Sequence, residues 1–310
     1  MTLRIYRADA CLQHEMGPDH PESPDRLHAI DDQLLASGLD MICQHETATK
    51  ASRDALTRAH SGAYVDSLFA RAPRDGMVWL DEDTAMNPST LDAALYAAGA
   101  CCDAVDWVLE DGQRQAFCAV RPPGHHAEYG HAMGFCFFNN IAVAALHALQ
   151  TPSVKRVAIV DFDVHHGNGT EDIVAGDDRI LFLSSFQHPF YPHSDVPSQS
   201  DNVITTPLNA GTDGMAFREA VNYWFEKIAD FNPDLILVSA GFDGHAEDPM
   251  AYLRLREDDY FWISDRIRTV AQQCCEGRIV STLEGGYSLS ALGRSVVAHL
   301  RGISGNTEKM

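Results

Sequence analysis

Residues Val157–Gly169 read VAIVDFDVHHGNG, and this stretch decides the fold. It opens on four apolar residues, Val157–Val160, three of them β-branched, with no polar residue at alternate positions. That is the signature of a short strand buried on both faces, which belongs to a parallel sheet covered by helices. The run stops abruptly in aspartates, histidines and glycines, and in open α/β sheets ligands gather beyond the carboxyl ends of the strands. The same pattern recurs along the chain. Phe117–Val120 precedes RPPGHHAEYGHAMGF, Leu235–Val238 precedes SAGFDGH, Ile279–Leu283 runs into STLEGGY, and Ile180–Leu183 forms a further short apolar run. Between these runs Ser89–Leu109, Asn140–Gln150, Gly214–Phe231, Asp258–Cys275 and Ser290–Leu300 read as helices. The alternation predicts an α/β fold with a parallel sheet flanked by helices, and it predicts that four polar clusters meet on one edge of that sheet.

The chain has 310 residues, 45% hydrophobic and 22% charged, which is ordinary globular composition. It carries no internal repeat and no Gly/Ser/Pro-rich linker, so residues 1–310 are expected to form a single domain. Lys+Arg 23 against Asp+Glu 44 gives 23 − 44 = −21. This argues against nucleic acid as a partner, because phosphate binding needs a basic footprint, and against an anionic membrane surface. It favours cationic substrates through long-range steering. The opening MTLRIYRADACLQHE has no apolar signal region and no run reaches membrane-spanning length, so a cytoplasmic protein is expected. The 8 Cys, without any C-x-x-C spacing, are expected to be reduced thiols acting as small hydrophobes. Nothing in the sequence reports the oligomeric state, and a homo-oligomer stays open.

The polar clusters suggest metal-assisted hydrolysis. In an extended segment, residues two apart point to the same side, so Asp163 and His165 can grip one ion. Asp243, at the end of another strand, is the natural third ligand. Three protein ligands with an open fourth position describe a catalytic metal site, and His with carboxylates suits Zn²⁺, with Fe²⁺ or Co²⁺ also compatible with this N/O set. The tandem His125–His126 follows a rigid R-P-P-G turn, and neutral imidazole can take a proton from a metal-activated water and return it to a leaving group. Tyr287, after two glycines that allow close backbone approach, can donate to a developing oxyanion. No G-x-S-x-G or Walker-type glycine loop occurs, so neither of those nucleophile or phosphate devices is present.

Several of these motifs together resemble the histone deacetylase family, which includes bacterial deacetylase-like amidohydrolases and acetylpolyamine amidohydrolases. They are HPESPDRL (His20–Leu27), RPPGHHAE, AMGFCFFNN (Ala132–Asn140), VDFDVHHGNG, SAGFDGHAEDP (Ser239–Pro249) and LEGGY (Leu283–Tyr287). The resemblance implies an arginase-like fold with an eight-stranded parallel sheet. It implies that Asp163, His165 and Asp243 bind zinc. His126 then serves as general base and acid, His125 is its electrostatic partner oriented by Asp161, and Tyr287 polarises the substrate carbonyl. Asn168 pairs with His126 where some relatives have Asp; an amide lacks the full charge, so His126 should be less basic. A structural K⁺ near Asp161, Asp163, His165 and Ser184 is implied as well. Phe135 and Tyr191 (or Phe190) match the walls of a narrow acyl-lysine channel.

Family members selective for acetylpolyamines carry a glutamate at the channel mouth, where this chain has Met250. The expected substrate is therefore an N-acyl amine such as an acyl-lysine, as a peptide or small molecule, with acetylpolyamine as the alternative because Glu82 or Asp83 could substitute. An arginase-like ureohydrolase would need a D-x-H-x-D pattern, which is absent. An inactive binding module would be expected to have lost a ligand or Tyr287, and all are present.

Overall fold

The computed structural model describes residues 2–110, 114–194, 196 and 198–306. Its strands are β1 (Thr2–Arg7), β2 (Gln44–Thr47), β3 (Val78–Trp79), β4 (Ala85–Met86), β5 (Arg114–Cys118), β6 (Val157–Asp161), β7 (Ile180–Gln187), β8 (Val203–Leu208), β9 (Leu235–Ala240) and β10 (Ile279–Leu283). Eight of them form one sheet in the order β2-β1-β5-β10-β9-β6-β7-β8, with every neighbouring pair parallel. The remaining two, β3 and β4, make a small antiparallel ribbon.

All five expected strands are present, with β5 starting earlier than Phe117 and β7 running on to Gln187. Every residue of β6, β7, β9 and β10 is buried, as a sheet covered on both faces requires. The cover comes from α1 (Asp25–Ser37), α2 (Arg53–Ala59), α3 (Gly62–Arg71), α4 (Thr90–Leu109), α5 (Asn140–Ala148), α6 (Asn168–Val174), α7 (Gly214–Val221), α8 (Trp224–Phe231), α9 (Glu257–Cys274) and α10 (Leu289–Ser304). One group, α1, α9 and α10, packs together, and α4 packs with α5. No described helix is long and apolar enough to cross a membrane.

The single helix expected over Gly214–Phe231 is broken at Asn222–Tyr223 into α7 and α8. At this junction Tyr223 Oη and Trp224 Nε1 both lie 3.0 Å from Thr206 Oγ1, tying it to β8.

Candidate active site

The four strands that carry the polar clusters, β5, β10, β9 and β6, are consecutive neighbours in the sheet. Their carboxyl ends therefore bring Arg121–His126, Glu284–Tyr287, Gly241–Asp243 and Asp161–His166 to one place, as the sequence predicts.

Asp163, His165 and Asp243 are buried together, with ligand atoms all within 4.8 Å of one another. The Asp163 Oδ1 accepts from the His165 backbone N–H at 2.8 Å and faces its Nδ1 at 3.0 Å, while Oδ2 accepts from Gly285 N–H at 2.9 Å. Asp243 Oδ1 accepts from Val164 N–H at 3.0 Å. Asp243 Oδ2 lies 3.2 Å from His165 Nδ1 yet is buried with no hydrogen-bond partner. Two buried carboxylates and an imidazole nitrogen converging around an orphaned acceptor fit a divalent cation, because acceptors facing acceptors need one. Burial and the Asp163 charge push the Asp243 carboxyl up to about 6. Gly285 has to be glycine, since a Cβ there would sit 2.1 Å from Asp243 Oδ2.

The two histidines stand 4.0 Å apart and in different surroundings. His125 donates from Nδ1 to Asp161 Oδ2 at 3.0 Å, as expected of the residue that orients it. Burial alone would lower its pKa, but Asp161 and Asp163 outweigh that and raise it to about 10. His126 has no such carboxylate. Burial, then the neighbouring His125 and His165, hold it well below its usual value and hence neutral. Its Nδ1 pairs with Asn168 Oδ1 at 2.7 Å, which leaves Nε2 as its open acceptor.

His126, His165, Phe135, Tyr191, Met250 and Tyr287 line one cavity of ≈ 220 Å³, with Phe190 and Asp83 also contributing. Both alternatives for the aromatic wall, Tyr191 and Phe190, are thus used, and Phe190 stacks on His165. Glu82 does not line the cavity. Phe135 holds a left-handed φ of 69, costly for a side chain with a Cβ. The strain is fixed by Thr84 Oγ1, which accepts its N–H at 3.0 Å, and the ring meets His20 and Tyr287 edge-on. Ser184 sits beside Asp161 in register, and its hydroxyl meets His166 Nδ1 at 2.9 Å. His131, exposed, takes no part beyond accepting the Glu128 N–H through its carbonyl.

Several supporting residues were not singled out by the motifs. Glu284 Oε2 accepts from the N–H groups of Gly124 and His125 at 2.7 and 3.2 Å, and Oε1 from Ser239 Oγ at 3.0 Å, clamping the histidine loop to β10 and β9. Burial raises this carboxyl to about 7. Buried Arg26 donates to the carbonyls of Gly286 and Glu284 and sits 4.9 Å from the Tyr287 ring. Glu22, also buried, joins Arg26 and Arg121. Asp248 Oδ2 accepts the Tyr287 N–H at 2.7 Å. The available signal was charge inside the motifs HPESPDRL, RPPGHHAE, SAGFDGHAEDP and LEGGY.

An eight-stranded parallel sheet with a buried Asp–His–Asp cluster, a neutral histidine and a tyrosine on one narrow cavity defines a hydrolase of arginase/deacetylase architecture. The chain belongs to the histone deacetylase family: residues 20–303 match the model of the histone deacetylase domain. It is 33% identical over 333 residues to a histone deacetylase-like amidohydrolase of Pseudomonas aeruginosa, covering 98% of this chain and 87% of that protein. It is 36% identical over 299 residues to a probable deacetylase of Archaeoglobus fulgidus, covering 93% and 82%. The crystal structure of the HDA15 HD domain superposes with a TM-score of 0.90 at 31% identity, over 99% of this chain and 89% of that one. These relatives make the chain a deacetylase-family enzyme.

Proposed function

We propose that the protein is a zinc-dependent amidohydrolase that removes an acetyl or related acyl group from an amine such as a lysine side chain. The observation that carries this reading is the buried Asp163–His165–Asp243 cluster, with its unpartnered Asp243 oxygen, on the same cavity as His126 and Tyr287. A divalent ion held by these three residues supplies Lewis acidity for the acyl carbonyl and for the attacking water; Zn²⁺ suits the donor set, and Fe²⁺ or Co²⁺ shares it. His126, kept neutral, takes the water's proton at Nε2 and returns it to the leaving amine. His125, charged through Asp161, stabilises the negative charge that builds beside it. The Tyr287 hydroxyl donates to the oxyanion of the tetrahedral intermediate. Phe135, Phe190 and Tyr191 hold the aliphatic stem and exclude water. The same reading includes a K⁺ near Asp161, Asp163, His165 and Ser184, supported by the register that sets Ser184 beside Asp161. It also places the protein in the cytoplasm, supported by eight cysteines that are all free.

One observation favours acetylated polyamines as a second substrate class. Asp83 lines the cavity and offers a carboxylate to a distal ammonium. Hydrolysis rates for acetyl-lysine peptides, longer acyl-lysines and acetylated polyamines, on chelated and zinc-reloaded protein, test both. Zinc-dependent release of acetate is expected. Two stoichiometric metals, or a loaded protein inert toward every acyl amine, would overturn the assignment.

A further inference from the structure

We propose that Glu128 is a positioning residue that fixes the orientation of the Asn168 side-chain amide and thereby the tautomer of His126, an inference that rests on His126 acting as the base. The two ends of an asparagine amide are nearly the same size and opposite in hydrogen-bond character. With Oδ1 toward the ring, 2.7 Å from His126 Nδ1, the proton sits on Nδ1 and Nε2 is a bare acceptor. With the amide reversed, Nδ2 would donate to Nδ1, the ring proton would move to Nε2, and the base would be lost. Nothing in the His126–Asn168 pair itself chooses between these states.

The far end of the amide makes the choice. Asn168 Nδ2 lies 2.9 Å from Glu128 Oε1 and 3.3 Å from Met133 Sδ. An ionised carboxylate and a thioether are both acceptors without a hydrogen, so only an N–H can face them. A reversed amide would set its oxygen against the carboxylate, exchanging a charge-assisted hydrogen bond for repulsion. Glu128 is itself held on both sides of its peptide. Its N–H donates to His131 O at 2.9 Å, and its carbonyl accepts from His60 Nδ1 at 2.9 Å. His60 is neutral, lowered to about 4 by burial, and its Nε2 accepts the Asn139 N–H at 2.9 Å, so the Nδ1 proton toward Glu128 is fixed too. The charge absent from Asn168 is thus supplied one residue further back, where it orients the amide without raising the basicity of His126 directly.

The test turns on a reversal of sign. Glu128→Ala should lower kcat roughly tenfold with KM nearly unchanged, and Glu128→Gln, which keeps one acceptor, should recover part of the loss. In an Asn168→Asp background the amide no longer exists and either carboxylate oxygen accepts from His126 Nδ1–H. There Glu128→Ala should cost nothing, or gain activity by removing a like charge. ¹⁵N NMR of histidine-labelled, metal-free protein reads the tautomer without any turnover. His126 should carry its proton on Nδ1 in the parent and shift toward Nε2–H in Glu128→Ala; if that variant fails to fold, Glu128→Leu, which also lacks an acceptor, carries the same measurement. Equal losses in both backgrounds, or an unchanged tautomer, would overturn the proposal. A protein inert toward all acyl amines that still shows the tautomer shift would instead remove the deacetylase reading and leave the positioning role standing.

Discussion

His125 and His126 are neighbours in sequence but differ in charge, because one faces Asp161 and the other faces an amide. In the proposed mechanism that difference would divide their labour, since only a neutral ring can accept a proton and only a charged one can steady an anion beside it. His126→Ala should therefore cost on the order of 10²–10⁴ in kcat, and His125→Ala less, with metal content unchanged in both. Steady-state rates beside elemental analysis check this; equal, mild losses would contradict the division. Tyr287→Phe deletes one hydroxyl and keeps the ring that Arg26 and Phe135 pack against. Its kcat on an acetyl substrate should fall by roughly 10²–10³, the usual effect of one lost oxyanion donor. A trifluoroacetyl substrate should be less sensitive, because its carbonyl is already electron-poor. At this scale the convergence of Asp163, His165, Asp243, the two histidines and the tyrosine was legible in the sequence, because each lies just past the end of an apolar strand. Glu284, Glu128 and Arg26 were not, because their roles are hydrogen bonds made across the fold. Arg26 reaches Gly286 across 260 positions of sequence, and no local pattern encodes such a partner.

Helix α10 carries a titratable lock that ties it to its neighbours. His299 is fully buried, and its Nδ1 lies 2.7 Å from Ser264 Oγ on α9 while Nε2 lies 2.8 Å from Ser281 Oγ on β10. Ser264 donates its own proton to the Tyr260 carbonyl, so His299 donates at Nδ1 and accepts at Nε2, which is the neutral form. Burial lowers its pKa from 6.5 to about 3. The unfolded chain therefore binds a proton that the folded one refuses between those two values. Stability from this group is complete above pH 6.5 and is lost as pH falls toward 3. His299→Gln should weaken the protein at pH 7 by about 1–3 kcal/mol through imperfect bridging. The same variant should make the acid limb shallower by about 1.4 kcal/mol per pH unit. Urea midpoints at pH 7, 6 and 5 read both effects, and parallel limbs in parent and variant would contradict the assignment. The legibility of elements follows the same logic of environment. β6, β9 and β10 are central and buried throughout, with apolar runs that stood out. β2 is an edge strand with all four residues exposed, and β8, at the other edge, contains Pro207 and two threonines. Edge strands need no continuous apolar run and tolerate proline, so pattern alone passes them over.

Across the whole molecule the apolar core and the charged site are stacked end to end, meeting at residues such as Asp161 and Phe190. The strands β6, β9 and β10 bury apolar side chains along their lengths, whereas Asp163, His165 and Asp243 lie just past the carboxyl ends of β6 and β9. If the proposed zinc is bound, the core would form without it, so stripping it should leave the far-UV circular dichroism spectrum intact. Asp163 and Asp243 press like charges together in a buried space and one oxygen there has no partner, so an ion bound between them would be stabilising. An ion at roughly 1,000 times its Kd contributes about 4 kcal/mol to stability. At roughly 2–4 °C per kcal/mol for a domain somewhat smaller than this one, chelation should lower Tm by about 8–16 °C or slightly less. Asp243→Asn separates the two contributions. It removes one of the opposed charges, so the metal-free variant should melt no lower than the metal-free parent, and it should gain little when zinc is added. Differential scanning calorimetry on the four states reads this directly. A metal-free Asp243→Asn protein that melts well below the metal-free parent would mean that Asp243 is holding the fold together through Val164, and that the site and the core are not independent.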